Sequence, residues 1–325
     1  MFWTPIRYRG AIHLSTLDLW LDPRSKREWA FISHAHSDHI AGHEEAILSE
    51  GTYRFICHRN VTPKHAQILP FNEPHTIRGV EFTLFPAGHI LGSAQLQVSI
   101  NGQRLLYSGD FKLQSNQAAE SITVPQADVL IMETTFGHPR YAFPPSDKVL
   151  EAIAVWCDNC LFEGVTPVLL GYSLGKGQEI LAGLAGHGYR FLLHDALYQT
   201  TRIAEELVDV AFPAYDRWSP GMGDGCVVIC PPHLRKWIVP KLPPCKTAIV
   251  SGWAMDPSAR FRYGADAAFC LSDHADYNDL HEYVQRVNPQ HIYTVHGYAS
   301  DFAAELRRRG YDAHALDEPD QLALF

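Results

Sequence analysis

An apolar segment, WAFIS, runs straight into HAHSDH, so three histidines and one aspartate fall within positions 34–39. On a strand, the two-residue spacing puts His34, His36 and Asp38 on one side. As a loop behind a strand, all four side chains, His39 included, can converge. Imidazoles and carboxylates with no thiolate close by suit Zn²⁺ or Mn²⁺. Two histidines and an aspartate can fill one ion. A fourth ligand aimed elsewhere suggests a second.

Composition sets the background. Histidine occurs 18 times, against 27 lysines and arginines together. Imidazole is the commonest metal ligand, so the excess invites a metal search, although most of these histidines are expected to lie outside any site. The net charge of −9 excludes a bulk positive field. Phosphates would have to be met by metal ions and local basic clusters. Seven cysteines, an odd number, point to reduced thiols. No window approaches the roughly 18 apolar residues of a membrane span, and the opening stretch has no apolar signal core. The expectation is a cytoplasmic protein with no membrane partner. Cys157 and Cys160 form a CxxC without a second pair and read as core, as do Cys226 and Cys230.

No internal repeat is visible. Up to about residue 135 the chain reads as short strands: 79–88, 102–110 and the apolar run 126–134. A helix is expected over 146–160. Strands and helices then alternate: strand 166–173, helix 175–186, strand 189–195, helix 199–210, strand 226–230, short helix 233–239, strand 247–253. Pro-rich loops fall at 212–221 and 239–244. Such alternation predicts a parallel sheet with crossover helices. The tail offers a helix over 275–287 capped by Asp276, a strand 291–295, and a helix begun by Ser300 and stopped by Gly310. A middle domain, 146–262, is thus inserted into an outer one made of 1–145 and 263–325.

Further candidate ligands end strands in the outer part. His89 follows the strand after 79, Asp110 follows the strand after 102, and His296 follows the strand 291–295. A glycine beside each lets the backbone turn so that the side chain can aim into a shared pocket.

At this point the residues carry a family resemblance. HAHSDH resembles the HxHxDH signature of the metallo-β-lactamase fold, an αββα sandwich. Asp22, His89, Asp110 and His296 match the other motifs of that superfamily in order. Glu133 in METTFG, His274 in LSDHAD and His296 resemble the three motifs of its nucleic-acid-processing branch, the β-CASP group. The inserted strand–helix domain sits where the β-CASP domain does. The compact length, GYSLGKGQE and the tail look closest to bacterial DNA-ligase-associated exonucleases.

The resemblance implies two divalent ions, Zn²⁺ first and Mn²⁺ as the alternative. His34, His36 and His89 would hold one, Asp38, His39 and His296 the other, and Asp110 would bridge. Two such ions roughly 3.5–4 Å apart can share and activate a water and clamp a phosphate. Catalytic roles fall to Asp38, to His274 as proton donor held by Glu133, and to Asp22 as orienter of a ligand histidine. Ser173 and Lys176, with the amides at Gly175 and Gly177, are candidate phosphate contacts. So are Arg260 and Arg262. Arg235, Lys236 and Trp237 could support a nucleic-acid strand, and Arg307–Arg309 read as a basic last helical turn.

The implied activity is a metal-dependent nuclease, a DNA exonuclease in repair with a DNA ligase as a possible partner. His296 is shared with RNA-cleaving members, which keeps RNA processing open. A thioesterase or lactonase of the same fold and an inactive metal-binding scaffold are the other classes. The inserted domain argues against the first and the full ligand set against the second.

Overall fold

Four strands that run the same way and end at one edge position the site. They lie in the first of two units into which a computed structural model divides the chain. The structure describes residues 6–8, 10–208 and 212–316. The first unit takes the described residues up to Ser115, Glu120–Tyr141, and those from His274 on.

One of its sheets orders Ile6–Tyr8, Ile12–Leu14, Leu19–Leu21, Trp29–Phe31, Glu45–Leu48 and His65–Ile68. The other orders Asp312–Ala315, His291–Val295, Val129–Glu133, Gln103–Tyr107, Ala94–Ile100, Val80–Pro86 and Pro74–Ile77. Alternate strand residues face opposite sides. Leu19, Leu21, Phe31 and Ile47 therefore meet Leu84, Leu96, Leu105 and Ile131 in one core between the sheets. Their neighbours Leu106, Leu130, Met132 and Ile292 pack outward against Leu280, Val284, Phe302 and Leu306. These belong to the helices Tyr277–Val287 and Ala299–Arg308. Each buried aliphatic side chain contributes about 1.5–3 kcal/mol.

The strands Gln103–Tyr107, Val129–Glu133 and His291–Val295 are mutually parallel. Val80–Pro86 is antiparallel to Ala94–Ile100, which is antiparallel to Gln103–Tyr107, so it shares their direction. Its end leads to His89, and the other three lead to Asp110, Glu133 and His296. This is where an α/β sheet places its ligands.

The helix Tyr277–Val287 starts as expected. Asp276 accepts the Asp279 N–H at 2.8 Å, and Asn288 closes the helix in the left-handed region. The last helix differs. Its cap is Tyr298, not Ser300. The Tyr298 N–H donates to the Thr134 carbonyl at 2.9 Å, so a tertiary bond decides the start.

The second unit comprises Asn116–Ala119 and Ala142–Asp273. All pairings in its sheet are parallel, in the order Tyr215–Arg217, Phe191–Leu193, Val227–Cys230, Thr166–Leu170, Cys245–Val250, Ala267–Phe269. One face packs Leu169, Leu193 and Ile229 against Ile153, Ile180 and Leu197 of the helices. The other buries Val168, Val228 and Ile249 with Trp218 and Ile238. The boundary differs from the sequence reading. Ala267–Phe269 pairs with Cys245–Val250, so residues 263–273 go with this sheet. The helix expected from 199 begins at Asp195, because the His194 ring caps it by accepting the Ala196 N–H. Its expected end at 209–210 lies outside the described residues. Residues 212–221 include the strand Tyr215–Arg217, so they are not loop throughout.

None of the seven cysteines forms a disulfide, and Cys157 lies in the core. No described helix is long and apolar enough to cross a membrane.

One buried ring gives a pH prediction. His281 lies between Tyr277 and Phe302, 4.7 Å from each ring, with its Nε2 unpartnered. Burial chiefly, and then Arg309, lower its pKa to about 4. An unfolded chain takes up that proton near pH 6.5, the folded one only near 4. The histidine therefore contributes a loss of stability as pH falls through that window. His281→Phe is expected to lessen the drop in Tm between pH 6.5 and 4.5. An unchanged drop in thermal melts would show that the ring is not held neutral.

Candidate metal centre

The run 34–39 is a loop, and its first anchor is Asp22. Asp22 Oδ1 accepts the Ser33 N–H at 2.7 Å. Its Oδ2 accepts the Ser33 hydroxyl at 2.6 Å, the Tyr107 hydroxyl at 2.8 Å and His39 Nδ1 at 3.1 Å. The backbone of Asp22 is left-handed, φ +46°, a strained conformation kept by these four bonds. Ser33 has given its only hydroxyl proton to Asp22. His34 Nδ1, 2.9 Å from Ser33 Oγ, must therefore be the donor. Its lone pair is then on Nε2. His39 likewise presents Nε2. The tautomers of two candidate ligands are thus set by one aspartate.

His34 Nε2 is 3.1 Å from His36 Nδ1, and His89 Nε2 is 3.2 Å from the same atom. A tetrahedral ion with bonds of about 2.0–2.1 Å would need edges of roughly 3.4 Å, so this trio fits one with little movement. Burial, and then the charges of His39, His89 and His36, hold the His34 pKa well below 6.5. A neutral imidazole is the ligating form. A second group lies beside it. His39 Nε2 is 3.7 Å from Asp38 Oδ2 and 3.5 Å from Asp110 Oδ2. The same Asp110 oxygen is 3.6 Å from His34 Nε2, so it faces both groups. Burial raises the Asp110 carboxyl, a cost that a cation would offset. Burial lowers His39, yet Asp110 and Asp22 raise it net, so this nitrogen is placed where positive charge is favoured. The donor set therefore fits divalent ions.

Two glycines make the approach possible. A Cβ on Gly109 (φ +54°) would lie 2.7 Å from Ser33 Cβ, and one on Gly88 (φ +76°) would lie 2.5 Å from the Lys112 carbonyl. The His89 loop is pinned further, since the Ser93 hydroxyl accepts the N–H groups of His89 and Ile90, each at 3.2 Å.

His296 closes the set at a left-handed position, φ +61°, with its ring 6.1 Å from His39. Burial, and then His39, lower its pKa to about 4. Beside the trio, the His274 ring lies 4.6 Å from that of His89, tilted against it. Its Nδ1 lies 2.9 and 3.0 Å from the two oxygens of Glu133. Burial pushes Glu133 up, but the His274 charge and hydrogen bonds from His274, Thr135 and Phe111 hold it below the usual range. Glu133 is therefore a carboxylate, and Nδ1–H donates to it.

Asp22, His34, His36, Asp38, His39, His89, Asp110, Glu133, His274 and His296 are thus brought together in the first unit. Sequence reasoning missed Ser33 and Tyr107, which had no motif of their own. It missed Arg24 too, whose Nη2 lies 3.7 Å from Asp38 Oδ2. Arg24 stands two residues after Asp22, the one signal that could have found it.

Of the phosphate contacts expected in the second unit, Lys176 and the amides of Gly175 and Gly177 are corrected. Lys176 is buried, its ammonium 2.6 Å from Glu179 and 3.9 Å from Asp273. Its charge is neutralised inside the protein. The Gly175 N–H donates to Gln178 Oε1 at 2.7 Å and the Gly177 N–H to the Tyr172 carbonyl at 2.9 Å, so neither amide is open. The Ser173 carbonyl accepts from Gln178 and Thr200, while its side chain is half-buried. Arg262 is paired with Asp256 at 2.7 Å. Arg260 stays exposed, over the Phe261 ring. One face of Trp237 is taken by the Lys241 ammonium, 3.2 Å from the ring centroid. Arg308 and Arg309 pair with Glu305 as a basic last turn does.

Comparisons with known proteins point to metallo-hydrolase and nuclease relatives. Residues 268–316 match the family model described as RMMBL, a Zn-dependent metallo-hydrolase RNA specificity domain. A probable DNA ligase from Opitutus terrae is 44% identical over 323 residues, covering 98% of this chain. The chain spans only 32% of that relative's length. Endoribonuclease ysh1 from Emericella nidulans is 34% identical over 118 residues, 35% of this chain and 13% of that one. DNA cross-link repair protein SNM1 from Arabidopsis thaliana is 29% identical over 163 residues, 47% of this chain and 34% of that one. A crystal structure of a protein of unknown function from Enterococcus faecalis V583 shares the fold, with TM-score 0.60 at 12% identity over 90% of this chain and 80% of that one.

Proposed function

Because the chain belongs to the β-CASP nuclease group of the metallo-β-lactamase fold, we propose that it is a metal-dependent phosphodiesterase degrading nucleic acid, DNA first, as an exonuclease in repair. The observation that carries this reading is the Asp110 oxygen lying within 3.6 Å of His34 Nε2 and 3.5 Å of His39 Nε2, with the His274–Glu133 pair alongside. His34, His36 and His89 would hold one ion, Asp38, His39 and His296 a second, with Asp110 between them. Zinc is the first choice and manganese the alternative. Such ions lower the pKa of a water toward neutrality and neutralise phosphate charge.

The chain's own groups do the rest. Asp22 and Ser33 keep His34 and His39 in the ligating tautomer. Glu133 stabilises His274 when both ring nitrogens are protonated, so Nε2–H can pass a proton to the departing ester oxygen. Arg24, beside Asp38, offers a guanidinium to a phosphate oxygen. The relative called a DNA ligase is about three times as long and contains this whole chain's match, which supports a ligase as partner. Seven cysteines without a disulfide support a reducing, cytoplasmic setting.

An RNA substrate is the second reading. The segment that carries His274 and His296 matches a domain described by RNA specificity. One assay separates the readings: labelled DNA and RNA, single- and double-stranded, each with a 5′-phosphate or a 5′-hydroxyl. With Mn²⁺ or Zn²⁺ the expected result is DNA shortened from an end, abolished by EDTA and restored by metal. Faster turnover of RNA would make it a ribonuclease. No cleavage of either, with turnover of a thioester, would sink the nuclease reading.

A further inference from the structure

The loop after Glu133 and the loop after His296 are tied together at Thr134. The Thr134 carbonyl accepts the N–H groups of Gly137, at 3.0 Å, and Tyr298, at 2.9 Å. On this joint sits Arg140. Its N–H donates to His138 Nδ1 at 3.2 Å, and its Nη2 donates to the Tyr141 hydroxyl at 2.7 Å and to the Tyr298 hydroxyl. The guanidinium carbon lies 4.7 Å from the Tyr141 ring centroid and 5.6 Å from that of Tyr298. The His138 ring adds a wall 5.3 Å from Tyr298.

Several arginines are neutralised by a carboxylate: Arg78 by Glu45, Arg202 by Glu205, Arg217 by Asp195, Arg262 by Asp256 and Arg308 by Glu305. Arg140 has no carboxylate within ion-pair distance among the described residues. Its partners are phenols. Burial, together with Tyr298, pushes Tyr141 up to about 12, so that hydroxyl stays neutral and leaves the guanidinium charge intact. Arg140 is nevertheless exposed to solvent. Its fixed, exposed charge is therefore left for an anionic ligand, in a chain of net charge −9.

Its position gives it a ligand. Phe136 bridges inward, its ring 5.0 Å from Tyr141 and 6.0 Å from His274. Tyr298 follows His296 by two residues. Arg140 therefore stands one aromatic layer out from the pair assigned to proton transfer. We propose that Arg140, clamped by Tyr141 and Tyr298, is a subsite for a nucleic-acid phosphate other than the one being cleaved. The proposal rests on the nuclease reading. With both Nη2 protons given to the phenols, which fix the guanidinium plane beforehand, the N–H groups of Nη1 and Nε remain to donate to phosphate oxygens. The rings of His138 and Tyr298 offer faces to the adjoining base.

The test is binding of a labelled eight-nucleotide single strand to the full chain in EDTA, by fluorescence anisotropy across a salt series. Arg140→Gln is expected to weaken binding about tenfold. It should also lower the slope of log affinity against log salt by about 0.7, one phosphate's share. Arg140→Lys should keep the slope, because the charge remains. Oligonucleotides with a 5′-phosphate, a 3′-phosphate or neither name the source. A deficit confined to one end-phosphorylated strand marks a terminal monoester, and an equal deficit on all three marks an internal diester; both uphold the subsite. Unchanged affinity and slope in Arg140→Gln overturn it. A lower Tm with weaker binding but an unaltered slope also overturns it, since Arg140 would then only join the loops. If the wild-type chain binds no nucleic acid and cleaves none with metal, the nuclease reading itself has failed. If it binds and cleaves but Arg140→Gln behaves the same, the subsite alone has.

Discussion

Asp110→Asn is expected to lower hydrolysis on the order of a thousandfold, a barrier change of about 4 kcal/mol, and to reduce the bound metal. Asp110 Oδ2 faces His34 Nε2 and His39 Nε2 at nearly equal distances. Asparagine keeps the volume and removes the charge between the two ligand groups. The fold should survive. Burial is what raises the Asp110 carboxyl, so its charged form is costly in the metal-free chain, and the neutral amide removes that cost. Metal content, kinetics and a melting curve check the prediction together. Activity within tenfold of wild type at full metal content would show that Asp110 does not join the two groups.

His274→Ala and Glu133→Gln are expected to lower kcat by roughly 10²–10⁴, with metal content kept. The two differ in pH behaviour. With His274 removed, the limb of the profile that its imidazole gives should be lost. With glutamine at 133, an amide stabilises the protonated imidazole less than a carboxylate does. The alkaline limb of kcat against pH should then move to lower pH. A rise in KM with kcat unchanged in His274→Ala would overturn the proton-donor role and leave His274 as a phosphate ligand.

How much was legible varies with the reach of the signal. Asp276 was readable as a cap because its bond to Asp279 spans three residues. Ser300 misled because the helix start is decided at Thr134, far back in the chain. The glycine-rich turn at 175–177 suggested an open phosphate cradle. Its amides were already used by Gln178 and Tyr172, and Lys176 by Glu179. Such a turn has the same composition whether its donors face a ligand or the protein. The strand Ala267–Phe269 was missed because three half-buried residues carry no alternation.

The identities of the candidate ligands were determined by the sequence alone. HAHSDH packs four donors into six residues, and glycines mark the strand ends at His89, Asp110 and His296, all short-range signals. Only the tertiary structure decided which nitrogen His34 and His39 present, since Asp22 gathers Ser33, His39 and Tyr107, the last 85 residues away. The same holds for Arg140 and Tyr298, 158 residues apart. Such pairs arise from the order and direction of strands in a sheet, which the global packing of the chain selects and no local pattern encodes.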